Sequence, residues 1–303
     1  MGKTYKNLKN KKNKKNKNKT RKLKNVNCSP DIKENSFSCY SNHNLFILKK
    51  YWNDNNNNDK ILTNEPIDIW KQLKQKHDND CNKESCWLKK SPIPAKDKKN
   101  ILNLSFAPIA PNEWKKNPNT WLSTLDLLRV LKQYERSHTH FKFLGPSPID
   151  YDYKTGYNQC VWNDLCNFKL STYKKQNKHK IGVVFNTDPH DRDGAHWISV
   201  YIDIKKNVIY FFDSVGRKAP KQVKKFIKNV IKESELLGGK MEYDELYNHK
   251  IEHQYQDTEC GMYSLYFIIN MLTKKKSWKH FCKNKISDAA VSKFRNIYFN
   301  KDL

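Results

Sequence analysis

At 303 residues the chain can hold one large domain or two small ones, and its 37% hydrophobic content supports a core only once the polar segments are set aside. A formal charge of +27 favours acidic partners. No stretch reads as a secretory signal or a membrane span, since the most apolar run, 262–272, is too short to cross a bilayer; the expected setting is therefore intracellular, where eight cysteines default to free thiols.

The first 25 residues carry 11 lysines and Arg21 and no acid. Such a segment cannot collapse, so 1–25 is expected to be a disordered basic tail. Taking its 12 charges from +27 leaves +15, so the remainder is basic too. This charge suits nonspecific binding of nucleic acid through counterion release. It is equally the mark of solvated lysine runs in a compositionally biased chain, which the tract Asn55-Asn56-Asn57-Asn58 supports. The tail is also a candidate nuclear-localisation segment, whereas Gly2 opens no myristoylation pattern because position 6 is Lys6.

Residues 26–98 read as a small helical region. Leu45, Phe46, Leu48 and Trp52 recur at helical spacing, and Asn64-Glu65-Pro66 suggests a cap followed by proline in the first turn of a helix bearing Ile69, Trp70 and Leu73. Trp87 and Leu88 add apolar anchors, and Ser91 to Ala95 with the charged run after it reads as a linker. Cys28, Cys39, Cys81 and Cys86 invite comparison with a four-thiolate zinc site, but neither pair has the two-residue spacing of a zinc knuckle. No metal or other cofactor is expected.

The rest of the chain, 99–303, reads as one α+β domain. A helix is expected from about Trp121 with Leu125, Leu128 and Leu131 inward. Runs 181–185, 197–202 and 208–212, rich in β-branched and aromatic residues, are strands, the last two joined as an antiparallel hairpin through 203–207. A basic amphipathic helix follows with Val223, Phe226, Ile227, Val230 and Ile231 as its stripe, ended by Gly238-Gly239. Another strand is expected before Gln254, then an apolar helix from Cys260, and a terminal helix over 287–300 with Asp288 near its start.

Within this frame Cys260 is a candidate nucleophile, because a helix N-terminus presents unpaired N–H groups and partial positive charge that favour a thiolate. The same position also suits a small core residue. The expected hairpin sets His196, before one strand, beside Asp213, after its partner. There a carboxylate can fix the imidazole tautomer and leave the other ring nitrogen to take the thiol proton.

The pattern His196-Trp197, Asp213-Ser214, Gln254 and Asp257-Thr258-Glu259-Cys260-Gly261 resembles the ubiquitin-like-protein peptidases, the family of the SUMO-specific proteases and the adenovirus maturation protease. The separations, 17 from His196 to Asp213 and 6 from Gln254 to Cys260, are those of the SUMO-protease branch. The likeness covers about Ala107 to Asn300, and the Cys- and Trp-containing leader is similar to that of peptidases of large DNA viruses. It implies a papain-like α+β fold with a mixed or antiparallel sheet packed on the nucleophile helix. It also implies catalysis by Cys260, His196 and Asp213, with Gln254 in the oxyanion hole; Gln256 competes for that role but lacks the family offset. Trp121 and Trp197 match the two indoles that wall a tunnel for substrate glycines, although either also suits core packing. Ser123 and Thr124 replace the polar pair usual in the SUMO branch, which turns the expected substrate toward a viral structural precursor.

The implied function is thus a cysteine endopeptidase cleaving after glycine during virion maturation, located in the virion and host cytoplasm. A SUMO or ubiquitin deconjugase shares the same site. An inactive peptidase fold serving as a nucleic-acid-binding scaffold is the reading from a different class.

Overall fold

The computed structural model describes residues 27–30, 35–81, 83–243 and 251–301. The basic tail expected at 1–25 lies outside them.

Four helices come first: α1 (Asn42–Asn55), α2 (Pro66–His77), α3 (Glu84–Lys90) and α4 (Ala95–Ser105). Ser41 caps α1 by accepting from the Asn44 N–H, and Leu45 and Leu48 face inward. Pro66 opens α2, but the capping position is Glu65 and makes no side-chain bond. The Asn64 amide oxygen instead accepts from Lys49 Nζ. The expected linker is only partly one: Ile93 is buried, and the charged run after it is α4, which carries Ile101 into the core. A division of the chain at 98/99 would cut this helix. Tyr40, Trp70, Trp87, Ile101 and Phe106 share one core. At its centre the Glu84 carboxylate accepts from the Cys39 N–H at 3.0 Å and Trp70 Nε1 at 2.5 Å, so the buried anion is satisfied.

The expectation of free thiols is corrected here. Cys28–Cys39, Cys81–Cys86 and Cys160–Cys166 are disulfides, with Cα separations of 4.9, 5.5 and 6.2 Å. Chain folding brings each pair within bridging range, which spacing along the sequence does not reveal. The four N-terminal cysteines are thereby spent in two separate bridges rather than gathered into one cluster.

A 3₁₀ turn (Asn112–Lys115) leads to α5 (Thr124–Ser137). Ser123 and Asp126 form a reciprocal capping box at its start. Its buried face is Leu127, Val130 and Leu131, while Leu125, expected inside, is 58% exposed. The face that docks on the core is centred on Leu127 and Leu131 rather than on Leu125 and Leu128. From this helix Gln133 donates to the carbonyls of Asn103 and Phe106 at the end of α4, fastening the helical region to the rest. Asn300 does the same from the other terminus, exchanging bonds with Asn27 and donating to the Ala107 carbonyl.

Next come β1 (Phe141–Phe143), α6 (Asn163–Cys166), α7 (Leu170–Lys175), β2 (Lys180–Asn186), β3 (Trp197–Asp203), β4 (Val208–Phe212), α8 (Lys221–Leu236) and β5 (Glu242–Tyr243). The sheet order is β1-β2-β3-β4-β5, antiparallel at the two inner pairings and parallel at the two outer ones, hence mixed. Alternation divides its residues. Ile198, Val200, Ile202, Ile209 and Phe211 share a core with Val223, Phe226, Ile227 and Val230 of α8. Trp197, Tyr201 and Phe212 face the opposite side, toward α9 (Cys260–Thr273). In α9 every residue from Cys260 to Asn270 is buried, as its all-round apolar sequence requires. Gly182 lets this helix approach β2: a Cβ there would lie 3.1 Å from Ile268 Cγ2.

Of the strand expected before Gln254, β5 is the only part seen among the described residues; 244–250 lie outside them, and 251–259 is loop. The terminal helix is two short ones, α11 (Asp288–Ser292) and α12 (Arg295–Tyr298), after α10 (Trp278–Lys283). No helix among the described residues is long and apolar enough to cross a membrane.

Candidate active site

The β3–β4 hairpin pairs Ser199 with Phe212, so the chain entering β3 and the chain leaving β4 lie at the same end of the sheet, which brings His196 to Asp213. His196 Nε2 lies 2.7 Å from Asp213 Oδ1, and both residues are buried. The same carboxylate oxygen accepts from the Val215 N–H at 3.0 Å, which fixes its orientation. Cys260, the buried first residue of α9, acts on the same imidazole and favours its charged form. Burial alone would lower the His196 pKa, but the influences of Asp213 and Cys260 outweigh it and raise the value to about 9. The site can therefore accept a thiol proton and hold it at neutral pH for delivery elsewhere.

Gln254 joins the group by its backbone, donating to the Ser214 carbonyl at 2.9 Å. Its Oε1 accepts from Ser214 Oγ at 2.7 Å, and its Nε2 donates to the Gln256 carbonyl at 2.5 Å. Gln256 thus contributes a carbonyl to Gln254, whereas its own backbone N–H bonds to Asp288. Beside Gln254, His253 is buried with Nδ1 accepting from the Ile286 N–H. Burial drives its pKa down to about 4, so it serves as a neutral packing group.

Trp197 lies on the nucleophile helix. A Cβ on Gly261 would sit 3.3 Å from Trp197 Cδ1 and 3.0 Å from Leu122 Cβ, so glycine is what allows this contact. Trp197 Nε1 donates to the Leu122 carbonyl, tying β3 to the segment that bears Trp121. Trp197 is 5% exposed and Trp121 37%, so the second indole is accessible where the first is buried. A cavity of about 310 Å³ adjoins Trp197 and Thr124.

Three further groups, Glu259, Arg295 and Asp288, position the site. Glu259, fully buried before Cys260, is bound by Arg295 Nη2 at 2.9 Å and Nε at 3.1 Å. Burial pushes the Glu259 carboxyl up and the guanidinium draws it back, with burial dominant. Arg295 also donates to the carbonyls of Thr120 and Thr258 and stacks on Trp114, so one side chain holds the segments leading to Trp121 and to Cys260. Asp288, expected only near a helix start, accepts from the N–H groups of Tyr255 and Gln256, and its other oxygen lies 3.0 Å from the Tyr263 hydroxyl. Glu259 is legible as part of the Cys260 motif; Arg295 and Asp288 lie too far along the chain for any local signal.

Residues 167–302 match the Ulp1 protease family, C-terminal catalytic domain. That span of the chain is similar to the Ulp1-type cysteine-protease domain. The matched span contains His196, Asp213, Gln254 and Cys260, whereas Trp121 and the helical region precede it. A protein of Acanthamoeba polyphaga mimivirus ascribed to the thiol proteases is 31% identical over 181 residues, which are 59% of this chain and 56% of that protein. The chain thus spans just over half the length of that relative. The SUMO-1 cysteine protease of African swine fever virus is 27% identical over 243 residues, covering 75% of this chain and 86% of that one. The crystal structure of an African swine fever virus protease superposes with a TM-score of 0.63 at 22% identity, covering 90% of this chain and 95% of that one. The papain-like α+β fold read from the Ulp1-type motif is therefore the observed one, and the shared fold extends beyond the Ulp1-type domain.

Proposed function

We propose that the protein is a cysteine endopeptidase that cleaves after glycine and processes viral structural precursor proteins during virion maturation. The observation that carries the reading is a His196 that Asp213 holds at 2.7 Å, with its pKa raised in part by Cys260, the first residue of α9. His196 takes the thiol proton as Cys260 attacks the scissile carbonyl, then gives it to the leaving amine. Asp213 keeps the ring in the productive tautomer, and Gln254 with the Cys260 backbone N–H stabilises the oxyanion. Trp121 and Trp197 flank the approach, where a Cβ-bearing residue would strike an indole and glycine would pass. The viral setting is supported by the two viral relatives. The virion and the host cytoplasm are the proposed locations, with nucleic acid a nonspecific partner of the basic tail.

The African swine fever virus relative, a SUMO-1 cysteine protease, favours a second reading, a protease acting on SUMO conjugates. Purified structural precursors and SUMO and ubiquitin conjugates, offered in parallel to wild type and Cys260→Ala, decide between them. Equal turnover by the two forms on every glycine-containing substrate sinks the mechanism. Cleavage of conjugates alone replaces the precursor reading with the second.

A further inference from the structure

We propose that Ser214 is a positioning residue that selects the amide orientation of Gln254, and so sets the oxyanion donor. The inference rests on the role assigned to Gln254 above. A glutamine amide has two orientations of nearly equal shape, and only one presents N–H to a developing oxyanion; the other presents a carbonyl, which would repel it. Two contacts choose between them. The Gln256 carbonyl can only accept, so the atom 2.5 Å from it is Nε2. The atom facing the Ser214 hydroxyl is then Oε1, and the hydroxyl must donate across the 2.7 Å contact. Both side chains are buried, Ser214 at 1% exposure and Gln254 at 4%, so the choice is made where a lost partner is not readily replaced by water.

The backbone strengthens the coupling. The Ser214 carbonyl accepts from the N–H groups of His253 at 2.8 Å and Gln254 at 2.9 Å, so hydroxyl and main chain hold the same segment. One Nε2 hydrogen goes to Gln256; the amide carries a second, available to substrate. Ser214 directly follows Asp213, whose carboxylate orients His196. Two adjacent residues after β4 thereby orient the base and the oxyanion donor, and the spacing between these functions is set by a single peptide unit.

A double-mutant cycle tests this on the full chain with a glycine-containing fluorogenic peptide. Ser214→Ala should lower kcat about tenfold with KM unchanged, and Gln254→Ala by about 10²-fold. The double variant should be no slower than Gln254→Ala alone, because the hydroxyl acts only through the amide. Alkylation of Cys260 by iodoacetamide forms no oxyanion and should run at the wild-type rate in all three variants. Wild-type kcat in Ser214→Ala, or losses that multiply in the double variant, overturns the role of Ser214. An unmodified wild-type chain that cleaves no glycine peptide, although its Cys260 reacts with iodoacetamide, overturns the parent reading and this one with it.

Discussion

At the level of single residues, His196 carries opposing influences: burial disfavours its charge, while Asp213 and Cys260 more than restore it, with a net value of about 9. A histidine raised in this way contributes stability that is complete below its ordinary value near 6.5 and is lost as pH rises through about 9. The same proton serves the leaving amine, so kcat/KM should fall on an alkaline limb near pH 9. Asp213→Asn should move that limb toward neutrality and lower the rate by several orders of magnitude, of which roughly 10⁴-fold is the scale for a lost orienting carboxylate. A pH–rate profile of both forms checks this, and an unmoved limb would assign the proton elsewhere. Trp197 yields a second expectation at this scale. Its ring packs on Gly261 beside the nucleophile, so Trp197→Ala should relax the glycine preference and lower kcat/KM together. Peptide-library profiling of wild type and variant reads both effects, and a wild-type preference for bulky residues beside the cut would remove the tunnel assignment.

At the level of elements, the start of α9 matters most. Its cap residue Glu259 makes no side-chain bond to the helix backbone. The buried carboxylate goes instead to Arg295, which reaches back from α12 to the Thr258 and Thr120 carbonyls. The nucleophile helix is thus anchored by an element that follows it in sequence. Removing one partner of a buried ion pair strands the other, so Arg295→Met should destabilise the fold by about 3–5 kcal/mol. Arg295→Met combined with Glu259→Leu should recover much of that loss, because no charge is left stranded. Urea denaturation of the single and double variants measures the difference. A double variant as unstable as the single would mean that the carbonyl bonds of Arg295, rather than the ion pair, hold the helix start.

At the level of the whole molecule, two cores lie on opposite faces of one sheet and a third lies among α1–α4. Gln133 and Asn300 join that third core to the others through buried hydrogen bonds, so the leader is built into the structure rather than hung from a linker. The basic segment 1–25 has concentrated charge and few apolar anchors. Deleting it should leave cleavage of small peptides unchanged and weaken binding to DNA, with the difference shrinking as salt rises. Titrations of both forms at two salt concentrations measure this, and equal binding at low salt would show that the tail is not the nucleic-acid arm.

Much of the site was legible in the chain because its signals are local. Short apolar runs rich in β-branched and aromatic residues mark β2, β3 and β4, a short hairpin brings His196 to Asp213, and an apolar helix opening at Cys260 marks the candidate nucleophile. What remained hidden depends on contacts between distant segments. The inward stripe of α5 was misread because which of its leucines pack is decided by the core it docks on, and α4 was missed because Ile101 and Phe106 are buried among residues distant in the chain, such as Tyr40 and Trp87. The disulfides required Cα atoms to approach within 6.2 Å. Sequence alone determined the order His196, Asp213, Cys260 and the local placement of each, since helix terminus and hairpin are local structures. Tertiary structure alone decided which side chains aim them, because Arg295 and Asp288 lie 35 and 28 residues beyond Cys260 and reach the site only after the final helices fold back on α9.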